Sequence, residues 1–286
     1  MKNVPSRRNG HDTLNAGTPL DGIISHKGGT PPGTNYMIVG APGTGKSTIG
    51  LDYLALLQRQ GRKVLYINAE MNIQDMAEYC ERYPDFRELP ILFLTDSFEE
   101  QKELQELLSQ TINEGYDLIL IDSWVEVIES IKISAACNHN VAEKWLMQLL
   151  MSNNDGKNLA EANTSFFIIQ HMTKAGDFAG TNRMKHITTG MMHLNFEEGE
   201  NSEFRYIEFS KNRRGKVNQR LYYYFDEQGR HWFDGARMEV DRQSQAILKS
   251  EKSNRKKEET EFDEWLSMVE LPARPDKKNR SPQAPS

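Results

Sequence analysis

Nine consecutive residues, Gly40-Ala41-Pro42-Gly43-Thr44-Gly45-Lys46-Ser47-Thr48, constrain this chain more than any other stretch, because they satisfy the phosphate-loop pattern G-x-x-x-x-G-K-[ST] in full. They follow the apolar run Met37-Ile38-Val39 and precede apolar residues at helical spacing, Ile49, Tyr53, Leu54 and Leu57. Strand, glycine-rich turn and helix in that order bring backbone N–H groups and the positive end of a helix dipole around one anion. Glycines at 40, 43 and 45 let the backbone curl round phosphate oxygens, Lys46 reaches the outer phosphates, and the Ser47 hydroxyl is placed to ligate Mg²⁺. The pattern predicts a helix opening at Ser47 and a nucleoside triphosphate as ligand. Its fixed positions arise by chance in about one chain of this length in a hundred. A dinucleotide site is disfavoured, because G-x-G-x-x-G is absent and a Lys-Ser pair occupies the helix start.

Composition narrows the partners. At 286 residues, 37% hydrophobic and 27% charged, the chain is long enough for one α/β domain of about 200 residues with tails. A net charge of −6 supplies no global basic field for nucleic acid, so any such contact has to come from local loops. Cys80 and Cys137 are far apart and form no C-x-x-C, which argues against a zinc ribbon or a disulfide scaffold and for free thiols in a reducing cytoplasm. No stretch approaches 18 apolar residues and the N-terminus has no apolar signal core, so neither a membrane span nor a secretion signal is expected.

Apolar runs at 63–68, 90–94, 117–122 and 165–170 alternate with amphipathic stretches at about 47–60, 72–82, 99–114 and 140–151. Near-continuous apolar strands between helices predict an α/β fold, a parallel sheet covered on both faces. After 190 the pattern becomes strands joined by turns, at 191–196, 204–211, 221–225 and 231–233, with a hairpin turn at 226–229, which predicts an antiparallel extension. Residues 1–17 are polar and read as a loose segment, 18–243 as the domain, and 244–286 as a charged, largely disordered tail with one aromatic island, 262–266, that reads equally as a segment docking a protein partner or as a transient helical turn with no partner.

Asp122 closes an apolar strand where a Mg²⁺-organising carboxylate belongs, beside Ser47. Ser123, not Glu, follows it, so the general base has to come from elsewhere, and Glu70, at the carboxyl end of the strand after the phosphate-loop helix, is the candidate. The competing reading of Glu70 is a carboxylate that stabilises a helix start.

With these positions in hand, the chain resembles the RecA superfamily of ATPases, and within it the RadA/Sms branch. Tyr66-Ile67-Asn68-Ala69-Glu70-Met71 is similar to the strand ending in a catalytic Glu, and Leu20-Asp21, Gly28-Gly29 and Pro32-Gly33 to the segment before the phosphate loop. Ile169-Gln170-His171-Met172-Thr173-Lys174 and Lys211-Asn212-Arg213-Arg214-Gly215 resemble two further RadA motifs, the latter with Arg214 in place of Phe. The resemblance covers roughly residues 18–235. It implies ATP and Mg²⁺ as cofactors, His171 as a relay of γ-phosphate occupancy, and Lys174, Arg183 and Lys185 as cations of a loop that contacts single-stranded DNA. Lys211 and Arg213, alternating along a strand, would reach a neighbouring subunit's nucleotide. Plainer readings stand beside each role: a buried histidine, a solvated loop and an exposed basic strand. RadA proteins carry a zinc finger and a Lon-like domain for which this sequence offers neither residues nor length. The resemblance implies a DNA-dependent ATPase of repair or recombination, assembled as a hexameric ring or short filament. Its alternatives are a DnaB-like helicase motor and a KaiC-like regulatory switch that does not touch DNA.

Overall fold

β-branched and aromatic residues dominate the runs that become strands, and where a run is buried on both faces it pairs in parallel. The computed structural model describes residues 13–94, 104–171, 184, 187–197, 203–217 and 219–268, the side chains of 245 and 265–268 apart. The described strands are β1 (Asn35–Gly40), β2 (Val64–Asn68), β3 (Ile91–Phe93), β4 (Leu118–Asp122), β5 (Ser165–His171), β6 (Gly190–Phe196), β7 (Arg205–Asn212), β8 (Leu221–Phe225) and β9 (His231–Asp234). They form one nine-stranded sheet in the order β3-β2-β4-β5-β1-β6-β7-β8-β9. Pairing is parallel from β3 to β6 and antiparallel from β6 to β9, as the two sequence patterns predict.

Period-two alternation sends neighbouring residues of each central strand into two cores. Tyr36, Ile38, Leu118, Leu120, Phe167 and Ile169 face one, with Ile49, Leu54 and Leu57 of helix α2 (Lys46–Arg59). Met37, Ile119, Ile121, Phe166 and Ile168 face the other. That second core is closed by Leu104 and Leu108 of α4 (Leu104–Asn113), Val127 and Ile131 of α5 (Trp124–Ser134), and Leu146 and Leu150 of α6 (His139–Asn154). Each fully buried Leu or Ile contributes roughly 1.5–3 kcal/mol. A short α1 (Asp21–Ile24) precedes β1, and α3 (Ile73–Arg82) follows β2, capped by the Asn72 side chain, which accepts from Asp75 N at 2.8 Å.

The structure departs from the sequence reading in four places. Leu14 and Ala16, within the stretch whose polarity suggests a loose segment, are buried, and Leu14 bridges Thr30. Two apolar side chains are too few to show periodicity, and only the isolated bridge to Thr30, 16 residues on, reveals their place. Helix α5 has no counterpart among the predicted helices, because its apolar residues, Trp124, Val127, Ile128 and Ile131 among them, follow directly on the apolar strand β4 with only Ser123 between. α2 opens at Lys46, one residue earlier than predicted. Finally, α7 (Gly235–Met268) is helical through the segment whose composition suggests disorder. Low hydrophobicity there forbids a packed core, but Ala, Gln, Lys, Arg and Glu are good helix formers and Pro is absent until 272. Residues Met1–Asp241 form one compact unit; the second unit, Arg242–Ser286, is helical through Met268. Among the described residues, no helix is long and apolar enough to cross a membrane.

Candidate active site

The phosphate loop joins the carboxyl end of β1 to the start of α2, and its shape is fixed by residues remote in sequence. Gly45 sits at φ 94°, and a Cβ there would lie 2.6 Å from the Phe225 ring on β8, so no side chain fits. The Tyr223 hydroxyl donates to Thr44 O at 2.7 Å, and the Thr44 hydroxyl donates to Ala41 O at 2.9 Å. Lys46 is buried and donates to Gly40 O at 2.9 Å and Ala41 O at 3.1 Å. Its ammonium thus holds the loop's own carbonyls. Burial lowers its pKa, while the charges of Asp122 and Glu70 act in the opposite direction.

Ser47 Oγ donates to Asp122 Oδ2 at 2.6 Å, and the Tyr66 hydroxyl donates to the same oxygen at 3.2 Å. Burial, followed by the charge of Glu70, pushes the Asp122 carboxyl up to about 6 against the opposing hydrogen bonds. Its second oxygen, Oδ1, is buried without a partner among the described residues. An orphaned carboxylate oxygen beside a serine hydroxyl is a donor set that suits a hard divalent cation with part of its water shell, so the residues present fit Mg²⁺.

Glu70 follows β2 in a turn that Asn68 holds. The Asn68 side chain accepts from Met71 N at 2.9 Å and from Glu70 N at 3.2 Å, and donates to Met71 O at 2.7 Å. Glu70 Oε1 bonds to Nε2 of His171, which ends β5 between the strands of the phosphate loop and Asp122. The structure therefore brings Lys46, Ser47, Glu70, Asp122 and His171 to one cleft of about 470 Å³.

Five further residues line this cleft that the sequence reading missed: Tyr79, Arg82, Arg205, Phe225 and Gly229. The Arg82 guanidinium lies 4.7 Å from the Tyr79 ring, and that of Arg205 lies 4.8 Å from the Phe225 ring. They come from α3, β7 and the β8–β9 hairpin, and carry no shared motif. Their only sequence signal is an aromatic, a cation or a turn glycine in a helix, strand or hairpin of ordinary composition.

Lys211 and Arg213 are elsewhere. Asn212 pairs with Gly190, the first residue of β6, and Gly190 pairs with Tyr36 near the start of β1. Arg213 N donates to Thr189 O at 3.0 Å, and Thr189 N donates to Asn35 O at 2.7 Å. Arg213 is therefore level with the first residue of β1, whereas the phosphate loop leaves from its last, Gly40. Five residues of strand separate them, about 16 Å, beyond the reach of an arginine side chain. A bulge makes Met191 pair with Lys211 but Met192 with Phe209, so Ser210 is extra and Lys211 is turned off the face that buries Phe209. Burial, then the charge of Arg213 two residues on, lowers the Lys211 pKa. Arg213 and Arg214 line a second cleft with Asn35, Asn154, Asp155 and Thr189. The loop cations Lys174, Arg183 and Lys185 lie outside the described residues, as does the side chain of Trp265; Phe262 is exposed on α7.

A mostly parallel sheet with the phosphate loop at the end of β1, a carboxylate at the end of β4 and a polar residue on the strand between defines the class: RecA-type P-loop ATPases. Over residues 14–227 the chain matches the family described as "ATPase: KaiC", and it belongs to that family. It is similar to the DNA repair protein RadA of Campylobacter jejuni, 30% identical over 67% of this chain and 40% of that protein. A similar match is the RadA of Streptococcus pneumoniae, 30% identical over 67% of this chain and 42% of its own. The chain spans about two fifths of the length of these relatives. Its fold is shared with the KaiC-like protein of Pyrococcus horikoshii (20% identity, TM-score 0.54, 78% of this chain and 100% of that one). It is also shared with the RadB recombinase (19% identity, TM-score 0.51, 76% and 98%).

Proposed function

We propose that this chain is a DNA-dependent ATPase of RadA type that cleaves ATP between subunits and acts in DNA repair or recombination. The observation that carries the reading is the separation of Arg213 from its own phosphate loop along the full length of β1. Lys211 and Arg213 can complete a nucleotide site only by being offered to another copy. In that arrangement the backbone from Gly43 to Thr48 cradles the phosphates, and Lys46 exchanges the Gly40 and Ala41 carbonyls for phosphate oxygens. Ser47 and Asp122 would hold Mg²⁺, whose charge shields the phosphates. Glu70, aligned by His171, orients water and accepts its proton. Lys211 and Arg213 of the adjoining copy stabilise the charge that spreads over the transferring phosphoryl group. Tyr79, Arg82, Arg205 and Phe225 offer flat surfaces beside the loop where a base can stack. Lys174, Arg183 and Lys185 are proposed to meet single-stranded DNA, which the names of the RadA relatives support, and the 262–266 segment to dock a protein partner.

A second reading, a regulatory ATP-binding switch without DNA, is favoured by the family match itself. Turnover measured across protein concentration, with and without single-stranded DNA and across salt, separates the two. The repair reading expects turnover per subunit to rise with assembly and with DNA, and DNA binding to weaken steeply with salt. Assembly-dependent turnover that ignores DNA would leave the switch. Full turnover by a monomer would remove both.

A further inference from the structure

The turn that carries Arg213 is braced by the side chain of Asn212. Asn212 Nδ2 donates to Ile23 O at 3.1 Å and Ile24 O at 3.0 Å, the last carbonyls of α1. Its Oδ1 accepts from Arg214 N at 3.0 Å and Gly215 N at 2.9 Å. One amide thus uses both ends: the acceptor closes the turn and the donors fasten it to α1. Gly215 completes the clamp, since a Cβ there would lie 2.6 Å from Asn212 Nδ2 and 2.8 Å from Ile24 O. His26 N donates to Arg214 O at 2.9 Å from the other side.

The anchor is itself rigid. Asp21 of α1 accepts from Ala16 N at 3.1 Å, Thr18 N at 2.8 Å and the Tyr53 hydroxyl at 2.8 Å. The Tyr36 hydroxyl donates to Ile24 O at 3.2 Å. Tyr53 belongs to α2, the helix that opens at the phosphate loop, and Tyr36 to β1. The bulge at Ser210 decides which way the neighbours point: Asn212 turns to α1, and Lys211 takes the face of its partner Met191, which packs in the other core.

We propose that Asn212 is the positioning residue for Lys211 and Arg213, clamping their turn to α1 so that the two cations are presented to the adjoining copy's nucleotide in one fixed geometry. This rests on the reading that Lys211 and Arg213 act across a subunit boundary. Asn212 touches neither nucleotide nor reacting atoms; its contribution is orientation, and a displacement of about 1 Å at such a site costs up to about 10²-fold in rate.

The test uses the full chain. Asn212→Ala should lower kcat by about 10²-fold with the KM for ATP and the affinity for a nonhydrolysable analogue unchanged. Mixing Asn212→Ala with Glu70→Gln subunits should restore turnover, because one kind of mixed interface then pairs an intact Glu70 with an intact, correctly held Arg213. Mixing it with Arg213→Ala should restore nothing. Arg213→Ala mixed with Glu70→Gln is the control. If the control recovers and the Asn212→Ala mixture does not, Asn212 serves only its own subunit's structure and the proposal is overturned. Wild-type turnover by Asn212→Ala overturns it as well. If the control itself fails, action across the boundary falls, and this proposal with it. Should Asn212→Ala not fold, Gly215→Ala disturbs the same clamp from the opposite side and is read by the same mixtures.

Discussion

The two ends of the central strands are built differently. At the carboxyl ends, Lys46, Ser47, Glu70, Asp122 and His171 converge on one cleft and bond directly to one another or to the loop. At the amino ends, Arg213 and Arg214 line a separate cleft among asparagines and threonine, and the turn that bears them is fixed by backbone carbonyls of α1. On the proposed reading, the carboxyl end grips a triphosphate and the amino end offers its cations to another molecule. A parallel sheet produces this polarity on its own, since every parallel strand places its carboxyl end, and the helix N-terminus that follows, on one side. Returning antiparallel, β7 carries its final residues to the opposite side.

The sharpest way to break this contrast is Lys46→Ala. If the carboxyl end alone grips phosphate, calorimetry should show triphosphate binding lost and turnover abolished, and undiminished hydrolysis would refute the assignment. Next in size is Arg213→Ala, which should cut turnover by about 10³ to 10⁵, the range of arginine fingers, while nucleotide binding stays at the wild-type level. A loss of binding instead would mean that both ends serve one site.

The smallest effect concerns how the β8–β9 hairpin supports the phosphate end. His231 is almost fully enclosed, its ring Nδ1 is 3.3 Å from the Tyr83 hydroxyl, and Nε2 is 3.5 Å from Asp52 of α2. Burial holds its pKa at about 4, below the ordinary 6.5. Below 6.5 the unfolded chain takes up a proton that the folded one refuses until about 4, so this histidine removes stability as pH falls through that window, by up to about 3 kcal/mol. Asp52, pushed up to about 6 chiefly by burial, works in the opposite sense, because the folded state takes up its proton first. The informative quantity is therefore the difference between wild type and His231→Asn in melting temperature from pH 7 to pH 4.5. The gap should narrow or reverse in favour of the variant as pH falls, and a constant gap would show that His231 is not held neutral.

Much of the carboxyl end is legible in the sequence. The phosphate loop, the apolar strands and Asp122 at a strand's close are local patterns, and local patterns survive in one dimension. Glu70 and His171 are legible only as the ends of strands, and their mutual bond depends on the order β2-β4-β5. Arg205 and Phe225 are not legible at all, because they reach the cleft through antiparallel pairings whose register no motif announces. The tail shows the converse error: its composition reads as disorder, yet helix propensity needs no core, and α7 runs to Met268.

By itself, the sequence determined a glycine-rich loop between a strand and a helix and an alternation of elements into a parallel sheet, since glycine placement and apolar period act over a few residues. The tertiary structure alone decided that Asn212 faces α1 while Lys211 is turned away, because one extra residue at Ser210 shifts the register against β6. It also decided that Arg213 stands a strand's length from Lys46. Distance between segments is set by topology, and topology is a property of the whole chain.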